Sequence, residues 1–374
     1  MSERKRILQV NIENTGGNGA FALVRYLYSF LKDKFIFDYF TMGKFEDDDV
    51  YKSIIADGGK CYSADLRRNK LIGHIKLPFV FYRYLNNNYY DIVHIHSEVA
   101  YKHFLYAIAA KLAGVKKVII HSHSSNIDGD NKGFKFFCHI ILRSFVNKLG
   151  DDFLACSEPT AEWMFTKKTL NGGHFKLLHN GIVPNAYKFS EEKRTVKRME
   201  LGISDKVVIG HVGALKKVKN QIRLIEILKN INDARYVLLL IGDGEDKEKL
   251  VLKAKELGVE NQVMFLGSRS DVADLLQSID VFVFPSFFEG IPMALIEAEA
   301  VGLPIVASDT INQDIKINDN ICFVSLDESN DKWIQKIQVA KKLHIKENGF
   351  LNIKNSAFNI EGSAYALSSL YTTI

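Results

Sequence analysis

No stretch of the 374-residue chain approaches the roughly 18 to 20 uncharged apolar residues that a membrane-spanning helix requires. The polar opening MSERKR runs straight into a strand-like segment, so neither a span nor a signal peptide is expected. The four cysteines, Cys61, Cys138, Cys156 and Cys322, lie far apart with no CxxC pair. That spacing excludes a zinc knuckle and a thiol redox motif, and it fits a reducing cytoplasm. Low-complexity tracts are absent, and neither half repeats the other. With 47% hydrophobic and 25% charged residues, a disordered, collagenous or disulfide-scaffold chain is excluded as well. The length points to two domains.

Charge is unevenly placed. Up to residue 188 there are 26 Lys and Arg against 18 Asp and Glu, and beyond it 23 against 26. A basic first half suits an anionic partner such as a phospholipid surface, a phosphorylated acceptor or nucleic acid, and it equally fits a merely solvated surface.

Short runs rich in Val, Ile and Phe alternate with longer amphipathic stretches, the pattern of βα units around a parallel sheet. RILQVNI (6–12), FIFDYFTM (35–42), DIVHIHS (91–97), KVIIHSHS (117–124) and DFLACS (152–157) read as strands of the first half. VVIGHVG (207–213), YVLLLIGDG (236–244), VMFLGS (263–268), VFVFPS (281–286) and PIVAS (304–308) read as strands of the second. The expected architecture is α/β, with two doubly wound, Rossmann-like domains. The first covers residues 1–187, joined by a closing helix at about 356–374, and the second covers 188–355, with a polar linker near 183–200. Ligands of open α/β sheets sit beyond the carboxyl ends of the strands, so a ligand is expected in the cleft between two such domains.

Three strand ends carry candidate chemistry. NTGGNG (14–19) follows the first strand, and its Gly16 and Gly17 allow backbone to approach an anion at a helix start; a plain tight turn has the same composition. In HSHSS (121–125), strand alternation puts His121 and His123 on one face, as it does His94 and His96 in the strand before. Four histidines suggest zinc, but no nearby carboxylates or thiolates complete a first shell, so no metal is assigned. His123 also fits a structural histidine. The third and sharpest signal is SFFEGIPMALIEAEAVGLP (286–304), with Glu289 on the turn and Glu297 about two turns into the helix. Between them, backbone donors from Gly290, Ile291, Met293, Ala294 and Leu295 offer a diphosphate seat. Pro292 has no N–H to give. A carboxylate accepts two hydroxyl hydrogen bonds at once, so an acid at each end of a diphosphate suits a nucleotide sugar.

These motifs, with ACSE (155–158), HNGI (179–182), Lys219–Asn220, IGDG (241–244) and FLGSRSDV (265–272), make the chain resemble the retaining glycosyltransferases of family 4 over nearly its whole length. Within that family it is most similar to bacterial enzymes of capsule, exopolysaccharide or O-antigen synthesis. The resemblance implies the GT-B architecture, with an acceptor-binding first domain and a donor-binding second one. It implies that Glu297 binds the nucleotide ribose and Glu289 faces the donor sugar. By the same resemblance Lys219 would neutralise the diphosphate, Gly17 would admit the donor phosphate, and His123 would contact the donor sugar, with His121 the alternative. His96, Asn180 and Lys216 are further candidates. A nucleotide sugar, most simply a UDP-sugar, is the expected co-substrate, with no metal or other cofactor required. Transfer would keep the anomeric configuration by a same-face route, to a saccharide or lipid-linked acceptor, in the cytoplasm or at the inner face of the plasma membrane.

The sequence departs from the family at Ala214, where an arginine would clamp the diphosphate; Lys216 and Lys217 lie nearby, but a lysine does not reproduce the bidentate fork. This keeps a non-catalytic partner subunit open, beside an epimerase or phosphorylase on the same fold. The DxD tripeptides at Asp47–Asp49 and Asp128–Asp130 are assigned no metal. Segments 67–85 and 134–149 mix basic and aromatic residues. They fit either a surface lying on anionic lipid or core helices with lysines turned outward. Nucleic acid is not expected, because most aromatics fall in strand or helix-core positions.

Overall fold

The computed structural model describes residues 4–12, 19–45, 48–66, 70–123, 132–343, 345 and 348–373. The chain forms two compact units, Met1–Asn180 with Ile360–Ile374, and Gly181–Asn359.

In chain order the first unit contains β1 (Lys5–Val10), α1 (Gly19–Leu31), β2 (Phe35–Thr41), α2 (Asp48–Ala56), β3 (Cys61–Ser63), α3 (Lys70–Asn87), β4 (Ile92–Ser97) and α4 (Ala100–Leu112). It continues with β5 (Lys117–Ser122), α5 (Lys132–Leu149), β6 (Asp152–Ala155), α6 (Glu158–Met164), α7 (Lys167–Leu170) and β7 (Phe175–Leu177). The second unit contains α8 (Glu191–Glu200), β8 (Val207–Val212), α9 (Gln221–Ile231), β9 (Tyr236–Ile241), α10 (Lys247–Glu256), β10 (Val263–Gly267) and α11 (Val272–Gln277). Then come β11 (Val281–Phe284), α12 (Met293–Val301), β12 (Ile305–Ser308), β13 (Ile321–Val324), α13 (Asn330–Ala340) and α14 (Gly349–Lys354), before α15 (Ile360–Thr372) returns to the first unit.

Both sheets are parallel, ordered β3-β2-β1-β4-β5-β6-β7 and β10-β9-β8-β11-β12-β13. Each therefore winds outward from its first strand, returns, and continues from the other side. The winding reverses between β1 and β4 and between β8 and β11, where doubly wound sheets open a crevice for ligands. All ten segments read as strands form strands. The three that the sequence did not disclose, β3, β7 and β13, are edge strands of three or four residues with only partial burial, so they lack a continuous apolar run.

Alternation within the strands sorts their side chains onto two faces. In the first unit Val93, Ile95, Val118 and Ile120 pack with Phe81 of α3 and Tyr106 of α4. The opposite parity carries Gln9, His94, His96 and His121, all buried. In the second unit Phe282 and Phe284 pack with Leu295 and Ile296 of α12, while Val281 and Val283 pack with Leu224 and Ile225 of α9 and Trp333 of α13.

The stretch expected as a linker is instead structured. Ser190 caps α8 by accepting the Lys193 N–H, acidic residues open the helix and basic ones close it. Arg194 and Arg198 both pair with Asp280 at the start of β11, and Lys197 pairs with Asp271. Its charges lock α8 onto the second unit rather than leaving it solvated.

Candidate active site

The second unit brings its two switch-point loops together. IGDG closes β9, and Gly242 there has φ +136°; a Cβ at this position would lie 2.1 Å from the Gly213 carbonyl oxygen. That close approach, with Leu215 N–H donating to the Asp243 carbonyl at 3.0 Å, fixes the turn after β8. From this turn Asn220, in the left-handed region at φ 56°, donates from Nδ2 to the Pro285 carbonyl after β11. Phe287 N–H donates back to the Val218 carbonyl. Between these bonds Lys219 Nζ stands 2.7 Å from Glu289 Oε1 and 5.1 Å from the centroid of the Phe284 ring.

Helix ends explain what this corner is free to bind. The helices α6, α8 and α13 have serine N-caps. No side chain caps α9 or α12: the Asn220 amide is committed to Pro285, and α12 begins after Pro292. An uncapped start presents N–H groups and the positive end of the helix dipole, a seat for an anion. Gly290 is exposed and Ile291, Met293 and Ala294 are partly so, whereas Leu295 is buried and its N–H already donates to the Pro292 carbonyl at 2.9 Å. Leu295 therefore drops out of the expected donor set.

Glu297, on α12, is largely buried, and burial pushes its carboxyl up to about 7, against a hydrogen bond from the Tyr187 hydroxyl. Tyr187 closes a short 3-10 turn, Pro184–Tyr187. No sequence motif pointed to it. Glu299 is fully buried and holds the chain after β12, accepting the Ile317 and Asn318 N–H groups at 3.0 and 2.9 Å. At the β8 end, His211 donates from Nδ1 to the Val283 carbonyl, and Gln221 Nε2 donates to the Ala214 carbonyl at 2.9 Å. Ala214, Lys216 and Lys217 are exposed.

In the first unit Gly16 and Gly17 lie outside the described residues, as do Asp47 and Asp128–Asp130; Asp49 pairs with Lys52 on α2. The histidines of β4 and β5 come together at the carboxyl ends of the sheet. His94, His96 and His121 are buried and His123 is half-buried. Burial, reinforced by the neighbouring imidazoles, lowers the pKa of the first three well below the usual value, and burial takes His123 to about 4. All four are therefore neutral at pH 7. His94, His96 and His121 hold ring nitrogens within 4.8 Å of one another, a spacing compatible with a metal. Yet both nitrogens of His94 and of His96 are taken by hydrogen bonds to other rings, to Tyr371 or to Gln9. Asn180 is partly buried, with Oδ1 lacking a partner among the described residues.

Of the two readings left open for segment 134–149, α5 does not bury its aromatics as a core helix would. Its buried residues are His139 and Val146, while Phe134, Phe137 and Phe145 are 67%, 60% and 51% exposed. No helix among the described residues is long and apolar enough to cross a membrane.

Comparison with known proteins gives the family and the fold. The family model for glycosyl transferases group 1 matches residues 193–344, and that for glycosyltransferase family 4 matches residues 45–186. The protein EpsF of Bacillus subtilis is 29% identical over 90% of this chain and 88% of its own length. The Escherichia coli UDP-Gal:alpha-D-GlcNAc-diphosphoundecaprenol alpha-1,3-galactosyltransferase is 27% identical over 82% of this chain and 81% of its own. Among solved structures, Anabaena HepE in complex with UDP superimposes with a TM-score of 0.77 at 18% identity, covering 99% of this chain and 100% of that one. With both family models matched in tandem and both sheets doubly wound as expected, the chain belongs to the group 1, family 4 glycosyltransferases, of GT-B fold.

Proposed function

We propose that the protein transfers a sugar from a nucleotide-sugar donor, a UDP-sugar, to a saccharide or lipid-linked saccharide acceptor in bacterial surface polysaccharide synthesis, with retention at the anomeric carbon. The observation that carries this reading is the Lys219–Glu289 pair beside the uncapped start of α12, with Glu297 further along the same helix. The diphosphate would take the N–H groups of Gly290, Ile291, Met293 and Ala294 and the charge of Lys219. Glu297 would accept the ribose hydroxyls, and Glu289 those of the donor sugar. Charge placed where the leaving diphosphate develops its own is the electrostatic route to transfer. His123 would contact a hydroxyl of the donor sugar, and Gly16 and Gly17 the donor phosphate. One relative named for UDP-galactose transfer to a lipid diphosphate, and a neighbour holding UDP, support the donor and acceptor classes. The basic, aromatic face of α5 supports peripheral contact with anionic membrane on the cytoplasmic side.

Incubation with several nucleotide sugars, with and without acceptor, tests the proposal through nucleotide release and the anomeric configuration of the product. Acceptor-dependent release with retention is expected. A nucleotide sugar that changes configuration without releasing nucleotide would identify an epimerase. Absence of any turnover would favour the non-catalytic subunit, the reading that Ala214 keeps open by removing a guanidinium from the diphosphate seat.

A further inference from the structure

The strand-end histidines of the first unit form one continuous hydrogen-bonded chain with two residues that no motif singles out. His121 Nδ1 meets His94 Nε2 at 3.2 Å, and His94 Nδ1 meets the Tyr371 hydroxyl at 2.7 Å. Tyr371 Oη meets Gln9 Nε2 at 3.1 Å, Gln9 Oε1 meets His96 Nε2 at 2.8 Å, and His96 Nδ1 meets His123 Nε2 at 2.8 Å. At the two ends, His121 Nε2 and His123 Nδ1 are buried atoms without a partner among the described residues.

A neutral imidazole carries one N–H and one lone pair, a hydroxyl has one hydrogen to give, and an amide donates from nitrogen and accepts at oxygen. Every interior member must then donate on one side and accept on the other, so all the bonds run in the same direction. Gln9 sets that direction. Its Oε1 only accepts, so His96 donates from Nε2 and receives the His123 Nε2–H at Nδ1. Its Nε2 only donates, so the Tyr371 hydroxyl gives its hydrogen to His94 Nδ1, and His94 gives its Nε2–H to His121 Nδ1. The chain therefore ends in a bare lone pair at His123 Nδ1 and an N–H at His121 Nε2. Rotating the Gln9 amide by half a turn would reverse every bond.

We propose that Gln9 and Tyr371 are positioning residues that hold His123 in its Nε2–H tautomer, leaving Nδ1 as an acceptor for a substrate hydroxyl. The hydroxyl is part of the glycosyl-transfer reading above and rests on it; the tautomer does not. Tyr371 reaches the chain from α15, with its ring packed edge-on against Phe35 and Phe37 at 5.3 and 5.9 Å. The C-terminal helix would thus set the hydrogen-bonding sense of a residue at the other end of the network.

The test uses the full-length protein labelled with 15N-histidine. Two-bond 15N–1H spectra report the tautomer of each ring, and His123 is assigned by the loss of its signals in His123→Gln. The expected wild-type pattern is a protonated Nε2 and a bare Nδ1 on His123. Tyr371→Phe keeps the packed ring but frees the Gln9 amide. It should shift His123 to a mixture of tautomers and lower kcat roughly 10-fold or more, with the donor KM nearly unchanged, because a misplaced imidazole proton costs turnover rather than binding. If Tyr371→Phe does not fold, Gln9→Met cuts the same chain at its hub and is read in the same way. A His123 protonated at Nδ1 in the wild type, or an unaltered His123 pattern in a folded variant, would overturn the proposal. Absence of transfer activity would count against the glycosyl-transfer reading alone, since the spectra need no substrate.

Discussion

Lys219 and Glu289 meet at 2.7 Å, one from the turn after β8 and the other from the turn after β11, so a single ion pair joins the two loops of the switch point. Before a donor arrives, the lysine's charge is answered by the carboxylate. A bound diphosphate would compete for the lysine and release Glu289 toward sugar hydroxyls. Lys219→Ala is expected to lower kcat by roughly 100-fold, as when a single oxyanion donor is removed. Glu289→Ala should also reduce mainly turnover. Steady-state kinetics with the preferred donor check both, and wild-type rates in both variants would show that the diphosphate seats elsewhere.

The missing arginine at position 214 makes a second prediction. Lys216 is exposed and has no ion pair among the described residues, whereas Lys219 is already paired. Lys216, like Lys217, is therefore a cation free to meet the diphosphate in place of the absent guanidinium, and it lies nearer to position 214. Lys216→Met should lower kcat/KM for the donor about 10-fold. Adding Ala214→Arg to that variant should recover most of the loss, because a guanidinium offers the bidentate contact that lysine lacks. Failure of the double variant to recover would place the compensating charge elsewhere.

Glu297 gives the site a pH dependence. Burial raises its carboxyl from an ordinary 4.5 to about 7, so the folded protein holds this proton more tightly than the unfolded chain does. The associated stability is full below about pH 4.5 and is lost as pH rises through about 7. Glu299, also raised to about 7 by burial, acts in the same direction. Glu297→Gln stays neutral, so it should match the wild type near pH 4 and exceed its stability at pH 8 by about 1 to 2 kcal/mol, after allowance for partial exposure. UDP affinity should show the opposite trend. It should rise between about pH 6 and 8 in the wild type, as the carboxylate ionises and accepts ribose hydroxyls, and stay flat in the variant. Urea unfolding and titration calorimetry at several pH values measure the two effects separately.

Much of this was legible in the sequence because central strands of a parallel sheet are apolar on both faces and their ends carry the ligand chemistry. The turn holding Glu289 and the helix holding Glu297 could be placed from the run VFVFPSFFEGIPMALIEAE alone. Legibility failed where the partner is distant in the chain. Tyr371 reaches His94 from the last helix, and Tyr187 reaches Glu297 from a loop whose composition read as linker. It failed also for Leu295, whose backbone donor is taken up by the first turn of its own helix. The alternation in HIHS and HSHS correctly put the histidines on one face, but it gave no sign that three of the four would be buried.

On α5, Phe134, Phe137, Ile141 and Phe145 follow one another at helical spacing and are all exposed. Lys132, Lys135 and Lys148 accompany them, while Arg143 is committed to the Glu162 and Phe165 carbonyls, and the helix carries no acidic residue. A soluble surface rarely leaves so much apolar area in water, and an anionic bilayer satisfies both properties at once. Vesicles half phosphatidylglycerol and half phosphatidylcholine should therefore bind the protein. Vesicles of phosphatidylcholine alone should bind it far less, because each basic side chain near an anionic surface contributes about 1 kcal/mol. The preference should weaken with added salt. Replacing Phe137 and Ile141 together with serine should reduce binding at least roughly 10-fold while leaving the fold intact, since neither side chain is buried. Vesicle sedimentation measures the binding, and gel filtration without lipid separates it from self-association. A double variant that binds as tightly as the wild type, or a wild-type dimer that the same substitutions dissociate, would assign this face to another partner.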